Sequence, residues 1–435
     1  VEGIILFAAA MVLLILGFPV AFSLGGLSLS VMFLVGSDFL GLYPSRVYGV
    51  MTNILLMAVP LFVFMGVMLE RSGLAEELLE TMALLFGRIK GGLAISVVAV
   101  GALLAASTGI VGATVVTMGM LSLPTMLKRK YSPEVATGTI SAAGTLGQII
   151  PPSIVLVLLG SVLNISIGEI FFAAMIPGFL LAFLYVLYLY VLGRVRPKLA
   201  PSMPEEDLAH FHGMVAVKQT FTSLVPPLFL ILAVLGSIFF GVASPTEAAA
   251  IGAVGASLLT AARGRLNKET LNAAMTETLG LTAMVFTILL GATAFGLAFR
   301  SLHGDLYLQQ VIRDANLGAT PFLLMFLGVI FIAGFFIDFI EITFIHVPVA
   351  APIFQALGVD MVWLGVLIAI NLQTSFLTPP FGFSLFYLKG VAPPEIKTSQ
   401  IYRGIAPFVM IQLVGLATVI LFPQIALWLP GQMGG

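Results

Sequence analysis

Few side chains in this sequence can do chemistry, and most of those that can carry oxygen. Three carboxylates fall within or beside apolar runs: Glu247, Asp338 and Glu341. A charge at the centre of a bilayer costs roughly 2.5–3.5 kcal/mol on insertion scales, so such groups face protein or a polar cavity. Asp338 and Glu341 are spaced to share one face of a helix. Such a pair suits a small cation or a ligand-holding loop; the plainer alternative is a cap on a hairpin turn. Glu247 follows Ser244, Pro245 and Thr246 and reads as a helix-start residue. The neutral oxygens form three clusters. Ser107, Thr108 and Thr114 share an uncharged segment with Gly109 and Gly112. Thr145 and Ser153, with Gly144 and Gly147, flank Pro151 and Pro152. Asn371, Thr374, Ser375 and Thr378 precede Pro379 and Pro380, and Gly382 follows them. Hydroxyls, amides and freed carbonyls hold hard cations of low charge, and half-helix N-termini hold carboxylates. For a single Ser or Thr, a bond to its own helix is the plainer reading. The clustering points to a site.

The proline pairs decide what must position these groups. They lie 228 positions apart (379 − 151) in a chain of 435 residues, each inside an apolar stretch. Proline lacks the backbone donor and breaks the helix before it. At the second pair this frees carbonyls around Ser375 and Phe376. Lipid cannot satisfy them, so a break survives only inside protein or beside a polar cavity. Two breaks at matching places in two halves are the mark of a secondary transporter's binding site.

The chain is 60% hydrophobic and 9% charged, against roughly 25% charged in soluble proteins. It is a chain solvated by lipid. It has no cysteine, which rules out disulfides and thiolate metal sites. A net charge of −1 suggests no nucleic-acid partner. Residues 1–18 lack a basic n-region and read as a first membrane helix rather than a signal peptide. His210 and His212 have no partner cluster for a metal, and His346 reads as a buried, satisfied imidazole. No P-loop, HExxH or GxSxG motif is present.

Apolar stretches recur near 3–18, 20–36, 54–69, 91–127, 134–164, 170–193, 224–242, 244–262, 278–299, 319–357, 361–388 and 401–423. One crossing takes about 20 residues, so 91–127 and 319–357 are too long for one. Arg88 and Lys90 precede 91–127 and Lys128, Arg129 and Lys130 follow it, which puts both its ends on one side. A hairpin turning within the membrane fits; two short full spans are the alternative. Threading the chain this way puts sixteen of the nineteen Lys and Arg residues on the cytoplasmic side, and Arg46, Arg300 and Arg313 on the other. Pro19 and Pro245 differ by 226, and Pro124 and Pro352 by 228. Residues 1–198 and 224–435 thus read as two inverted repeats joined by a cytoplasmic linker, 199–223, whose polar character begins at 194. Residues 72–88 and 301–317 read as interfacial braces. The expected fold class is an all-α polytopic membrane protein: about ten transmembrane helices, two re-entrant hairpins (91–127, 319–357) and two broken helices (134–164, 361–388) in an inverted-topology repeat.

Over nearly its whole length the chain resembles the large membrane subunit of the tripartite ATP-independent periplasmic (TRAP) transporters, the DctM-like family. The most specific stretches run from Gly144 to Ser153 and from Leu372 to Phe386, with Phe336 to Glu341 resembling one branch of the family. The resemblance implies a sodium-coupled elevator in a bacterial inner membrane and no enzyme. A periplasmic binding protein would deliver an organic acid, and a small four-helix membrane subunit would be a separate chain. Sodium is the implied coupling ion and no other cofactor is expected. By this likeness Ser107, Thr108 and Gly109, the 144–153 break, the hairpin around Asp338, and 371–382 form the ion and substrate site. Asp338, Glu341, Ser107, Thr145, Thr374 and Thr378 are its sodium candidates. A stand-alone carboxylate symporter or antiporter of the same fold is one alternative, separable by dependence on a binding protein. A membrane scaffold or intramembrane enzyme is another, separable by the absence of sodium-dependent uptake.

Overall fold

Prolines, glycines and short polar caps cut this apolar chain into helices, and every regular element among the described residues is helical. The computed structural model describes residues 2–108, 111–208, 211–315 and 317–432, with side chains throughout except at 105–108. Gly109, His210 and the side chains of Ser107 and Thr108 lie outside this set.

The first half runs α1 (Glu2–Ile15), α2 (Val20–Val35), α3 (Tyr43–Met51), α4 (Ala58–Arg71), α5 (Leu74–Phe86), α6 (Gly92–Thr108), α7 (Val111–Lys128), α8 (Pro133–Thr145), α9 (Ile154–Leu163) and α10 (Ile167–Val195). A four-residue helix α11 (Glu205–Leu208) lies in the connection. The second half runs α12 (Gly213–Phe239), α13 (Pro245–Ala262), α14 (Lys268–Ser301), α15 (Gly304–Asp314), α16 (Ala319–Ala333), α17 (Phe339–Ala356), α18 (Met361–Leu377), α19 (Phe383–Val391), α20 (Thr398–Leu421) and α21 (Gln424–Gly431). Both overlong stretches are helix pairs in contact, α6 with α7 and α16 with α17. Both proline-paired stretches are helix–break–helix units, α8/α9 and α18/α19. The two expected braces are α5 and α15.

Seven helices among the described residues are long and apolar enough to cross a membrane. The shorter apolar ones include α1, α2, α6, α9, α16 and α18. In each hairpin one arm, α7 or α17, is among the seven and the other, α6 or α16, is shorter; in the broken units α8/α9 and α18/α19 neither arm reaches 18 residues. Exposed apolar side chains such as Phe22 (74%) and Leu34 (82%) give the outer surface the character lipid requires.

The halves match element for element, α1–α2 with α12–α13 and α4–α10 with α14–α20. Their packing is reciprocal. α2 packs on α14 and α4 on α13; α7 on α19 and α17 on α9; α8 on α20 and α18 on α10; α5 on α12 and α15 on α1. Counterparts α4 and α14, and α8 and α18, touch each other. Such exchange is the signature of a pseudo-two-fold relation.

Two segments differ from expectation. Helix α12 reaches back to Gly213, well before the apolar stretch at 224, and runs on through Pro226 and Pro227. What remains of the linker is strapped down: Gly91 N–H donates to Ala200 O at 2.9 Å, Ser132 N–H to Leu199 O at 3.0 Å, and Met203 N–H to Gly87 O at 2.8 Å. Residues 43–51, left unassigned by hydropathy, form α3.

Candidate functional site

The leading arms of the two broken units, α8 and α18, are deeply enclosed. Every residue from Val135 to Thr145 in α8, and from Leu364 to Leu377 in α18, is buried. Their hydroxyls and amides therefore meet neither water nor lipid, only one another.

Helix α8 starts behind Ser132, whose hydroxyl accepts from Val135 N–H at 3.2 Å, an N-cap. It ends in a 3-10 turn over Leu146–Gln148, ahead of prolines that cannot donate. Pro152 leaves Gln148 O without its helical donor, and Ser153 Oγ supplies one at 2.9 Å. Ser153 thus closes the first break locally. At the second break, the carbonyl expected to be free at Ser375 accepts from Thr378 N–H at 3.0 Å. The correction has a simple cause: once the helix stops, the next amide turns back to the nearest acceptor. Phe376 O lies under Gly382, where a Cβ would stand 2.9 Å from it and 3.0 Å from Thr378 O. Glycine alone leaves room for that carbonyl. Pro380 O accepts from the Tyr402 hydroxyl of α20 at 2.6 Å.

The hydroxyls of Thr145, Thr374, Ser375 and Thr378 donate to Ala142 O, Ile370 O, Leu372 O and Thr374 O at 2.7–2.9 Å. This is the plainer reading for each proton. A hydroxyl that has given its proton to its own helix keeps lone pairs for a cation. Asn371 differs, because its Nδ2 bridges to Leu327 O of α16 at 2.9 Å and ties the second hairpin to the second break.

The two breaks meet. Gln373 Nε2 approaches Thr145 Oγ1 at 3.4 Å, and these residues are 228 positions apart, the offset of the proline pairs. Counterparts in contact lie on the pseudo-two-fold axis. Around them Gln148 Nε2 and Oε1, Gln373 Oε1, Thr139 Oγ1 and Ser141 Oγ are buried with no hydrogen-bond partner among the described residues. Each such group costs roughly 1–3 kcal/mol, so the cluster is a polar interior short of partners. Ser384 Oγ of α19 donates to Ser141 O at 3.2 Å and locks the second unit onto α8.

Both hairpins close on this centre. A Cβ on Gly144 would lie 2.3 Å from Val115 of α7, and one on Gly112 would lie 3.0 Å from the Tyr387 ring of α19. Thr114 is buried in the same helix. A Cβ on Gly334, at the end of α16, would lie 2.2 Å from Ser375 Oγ. Four residues on, Asp338 is the N-cap of α17: its Oδ1 accepts from Phe339 N–H at 2.7 Å, and Glu341 Oε2 accepts from Asp338 N–H at 3.2 Å. The capping alternative is thus realised for both carboxylates. The cap also abuts the second break, with the Phe339 and Phe376 rings 6.2 Å apart. Glu247 is the helix-start residue it was expected to be, boxed with Ser244. His346 is buried, edge-on to Phe7 at 5.4 Å. Among the described residues no group of three or more His, Asp or Glu could hold a metal.

Sequence reasoning did not single out Gln148, Gln373, Ser141, Ser384 and Tyr387. The 228 offset carried the signal for one of them, since it maps Thr145 onto position 373. Glu70 was also missed. It accepts from Thr117 Oγ1 of α7 at 2.5 Å and joins α4 to the first hairpin.

The chain matches the family model of the tripartite ATP-independent periplasmic transporter, DctM component, over residues 7–425. It is 31% identical over 380 residues to a C4-dicarboxylate TRAP transporter large permease protein of Pseudomonas aeruginosa, covering 87% of each chain. It is 32% identical over 434 residues to an ectoine TRAP transporter large permease protein of Halomonas elongata, covering 98% of each. Among solved structures it resembles the YdaH transporter of Alcanivorax borkumensis with a TM-score of 0.60 at 17% identity, over 89% of this chain and 88% of that one, a likeness of fold. A polytopic helical chain with two hairpins and two proline breaks around one polar centre, matched over nearly all its length, belongs to the DctM component family, the large permease subunits of TRAP transporters, which are transport proteins and not enzymes.

Proposed function

We propose that this chain is the moving-site subunit of a sodium-coupled importer of an organic acid anion in a bacterial inner membrane. The observation that carries the reading is the contact of Thr145 with Gln373 on the pseudo-two-fold axis, amid buried, unpartnered amides and hydroxyls. A polar centre that lacks partners is completed by a cation and a polar ligand. Sodium is bound by lone pairs of Thr145, Thr374 and Thr378 and by break carbonyls. Asp338 with Glu341 holds the second hairpin in register and supplies negative charge. The substrate's carboxylate meets the start of α9 or α19, where helix N-termini face the breaks. Gly144 lets α8 close on the α7 backbone at Val115, and Gly112 seats the Tyr387 ring.

The halves, 1–198 and 224–435, are inverted across the membrane, with the linker cytoplasmic. The unit of α6–α9 and α16–α19 moves as an elevator against α2, α4, α13 and α14. A periplasmic binding protein delivers the acid, and a small four-helix membrane subunit braces the scaffold. That a similar chain is named for C4-dicarboxylates supports an acid substrate. The test is uptake into proteoliposomes holding this chain, the small subunit and the binding protein. Uptake that needs an inward sodium gradient and the binding protein supports the reading. Uptake without the binding protein would favour a stand-alone symporter, and uptake indifferent to sodium would remove the coupling ion.

A further inference from the structure

Two cations on the face opposite the basic end have no partner. Among the described residues the ion pairs are Arg71–Glu277, Arg129–Asp207 and Arg263–Glu77. All three gather at one end of the molecule. α4 and α14 are counterparts, and each carries an arginine in its last turn. Arg71 of α4 is paired with Glu277 at 3.0 Å, whereas Arg300 of α14 is in no ion pair. Arg300 lies 32 residues along α14 from Lys268 (300 − 268), roughly 48 Å at 1.5 Å per residue. Arg46 of α3 is also unpaired. Arg46 and Arg300 are two of the three basic residues that escape the positive-inside bias, so topology does not explain them.

They share a cavity of about 590 Å³. No carboxylate lines it, while Ser45, Asn53 and Asn164 add neutral polar groups. The volume suits a small organic molecule. One wall is α3 and α14; the other is the end of α9 and the middle of α17, at Phe344 and Pro348. Those last two helices contact each other and lead inward, α9 back to the first break and α17 back to Asp338. The ten residues of α9 put the cavity roughly 15 Å from the break. Arg300 also lines an adjoining cavity of about 390 Å³, where Asp305 is the one carboxylate.

We propose that Arg46 and Arg300 form a carboxylate-capture site at the outer mouth of the path to the breaks. Guanidinium groups bind carboxylates through paired N–H donors, and an uncompensated positive cavity raises the local concentration of anions. The site holds an organic acid first, before the hairpins take it. This rests on the transport reading above, but it can be measured without transport.

The chain lacks cysteine, so Ser45→Cys gives a single probe in the cavity. Its rates of reaction with an anionic and a cationic thiosulfonate reagent are compared in the purified protein. The expected result is a preference for the anionic reagent that falls about tenfold in Arg46→Gln/Arg300→Gln and by less in either single variant. Succinate at millimolar levels slows labelling when both arginines are present, and neutral mannitol does not. Arg313→Gln leaves the ratio unchanged. If the double variant does not fold, the single variants carry the same comparison, and Thr293→Cys repeats it from α14. An unchanged ratio without the arginines, or a lowered ratio with no protection by succinate, overturns the capture site. Ser45→Cys protein with both arginines intact that shows the preference and protection but no sodium-driven uptake, in a chain whose wild type also shows none, contradicts the transport reading alone.

Discussion

Asp338 shows what one residue's chemistry can and cannot reveal in advance. Its charge within an apolar run and its spacing from Glu341 were legible, as was the choice between cation ligand and cap. Which oxygen does what was not, because capping depends on where α17 starts and not on residue type. The structure makes the charge separable from the cap. Asn caps helices about as well as Asp, so Asp338→Asn keeps the bond to Phe339 N–H. We expect this variant to fold in the membrane with weakened sodium activation of uptake, and Glu341→Gln to weaken it less. Sodium activation unchanged in Asp338→Asn would leave both carboxylates as caps only. The unpaired amide of Gln148 gives a second test at this scale. Gln148→Leu removes two buried polar atoms that have no partner, so stability without ligand should hold or rise by about 1 kcal/mol while uptake falls. Thermal unfolding and uptake, measured side by side, check both parts.

At the scale of elements, hairpins and breaks were legible because lipid allows few exceptions to the helix. A stretch too long for one span and too apolar to leave the membrane must turn inside it, and the helix breaks at Pro151–Pro152 and Pro379–Pro380, whereas Pro226 and Pro227 stay inside α12. The start of α12 and the short helix α3 were not legible, since hydropathy sees only helix that lipid touches. Close approach was hidden for another reason: it depends on two distant glycines at once. A Cβ on Gly138 of α8 would lie 2.1 Å from Gly404 O of α20, and a Cβ on Gly404 would lie 2.1 Å from Glu134 O. Backbone is the obstacle on both sides, so no side chain can yield. Gly138→Ala should therefore destabilise the protein by about 1–3 kcal/mol through overpacking. Gly390→Ala, whose Cβ would meet nothing within 4 Å, should be neutral or slightly stabilising, as alanine favours helix over glycine. Equal unfolding temperatures for the two variants would contradict this packing.

For the whole molecule, repeat arithmetic made the pairing of halves visible from four matched pairs of prolines, yet it could not say where the halves touch. That came from reciprocal packing and from the meeting of Thr145 with Gln373. The basic asymmetry sets orientation: single cysteines at Ser202 and Ser301 should label from opposite sides of the membrane, and labelling from one side would sink the inversion. The central claim is that both halves build one transport site, and the proline pairs test it most directly. Pro379→Ala/Pro380→Ala restores two backbone donors and lets α18 and α19 join, as Pro151→Ala/Pro152→Ala does for α8 and α9. Uptake of the transported acid into proteoliposomes is the measurement, with thermal unfolding in and out of sodium as the control for folding. Each double variant should insert and unfold at or above the wild-type temperature yet abolish sodium-driven uptake. Wild-type uptake in either one would make that proline pair an ordinary kink and contradict a site shared by both halves.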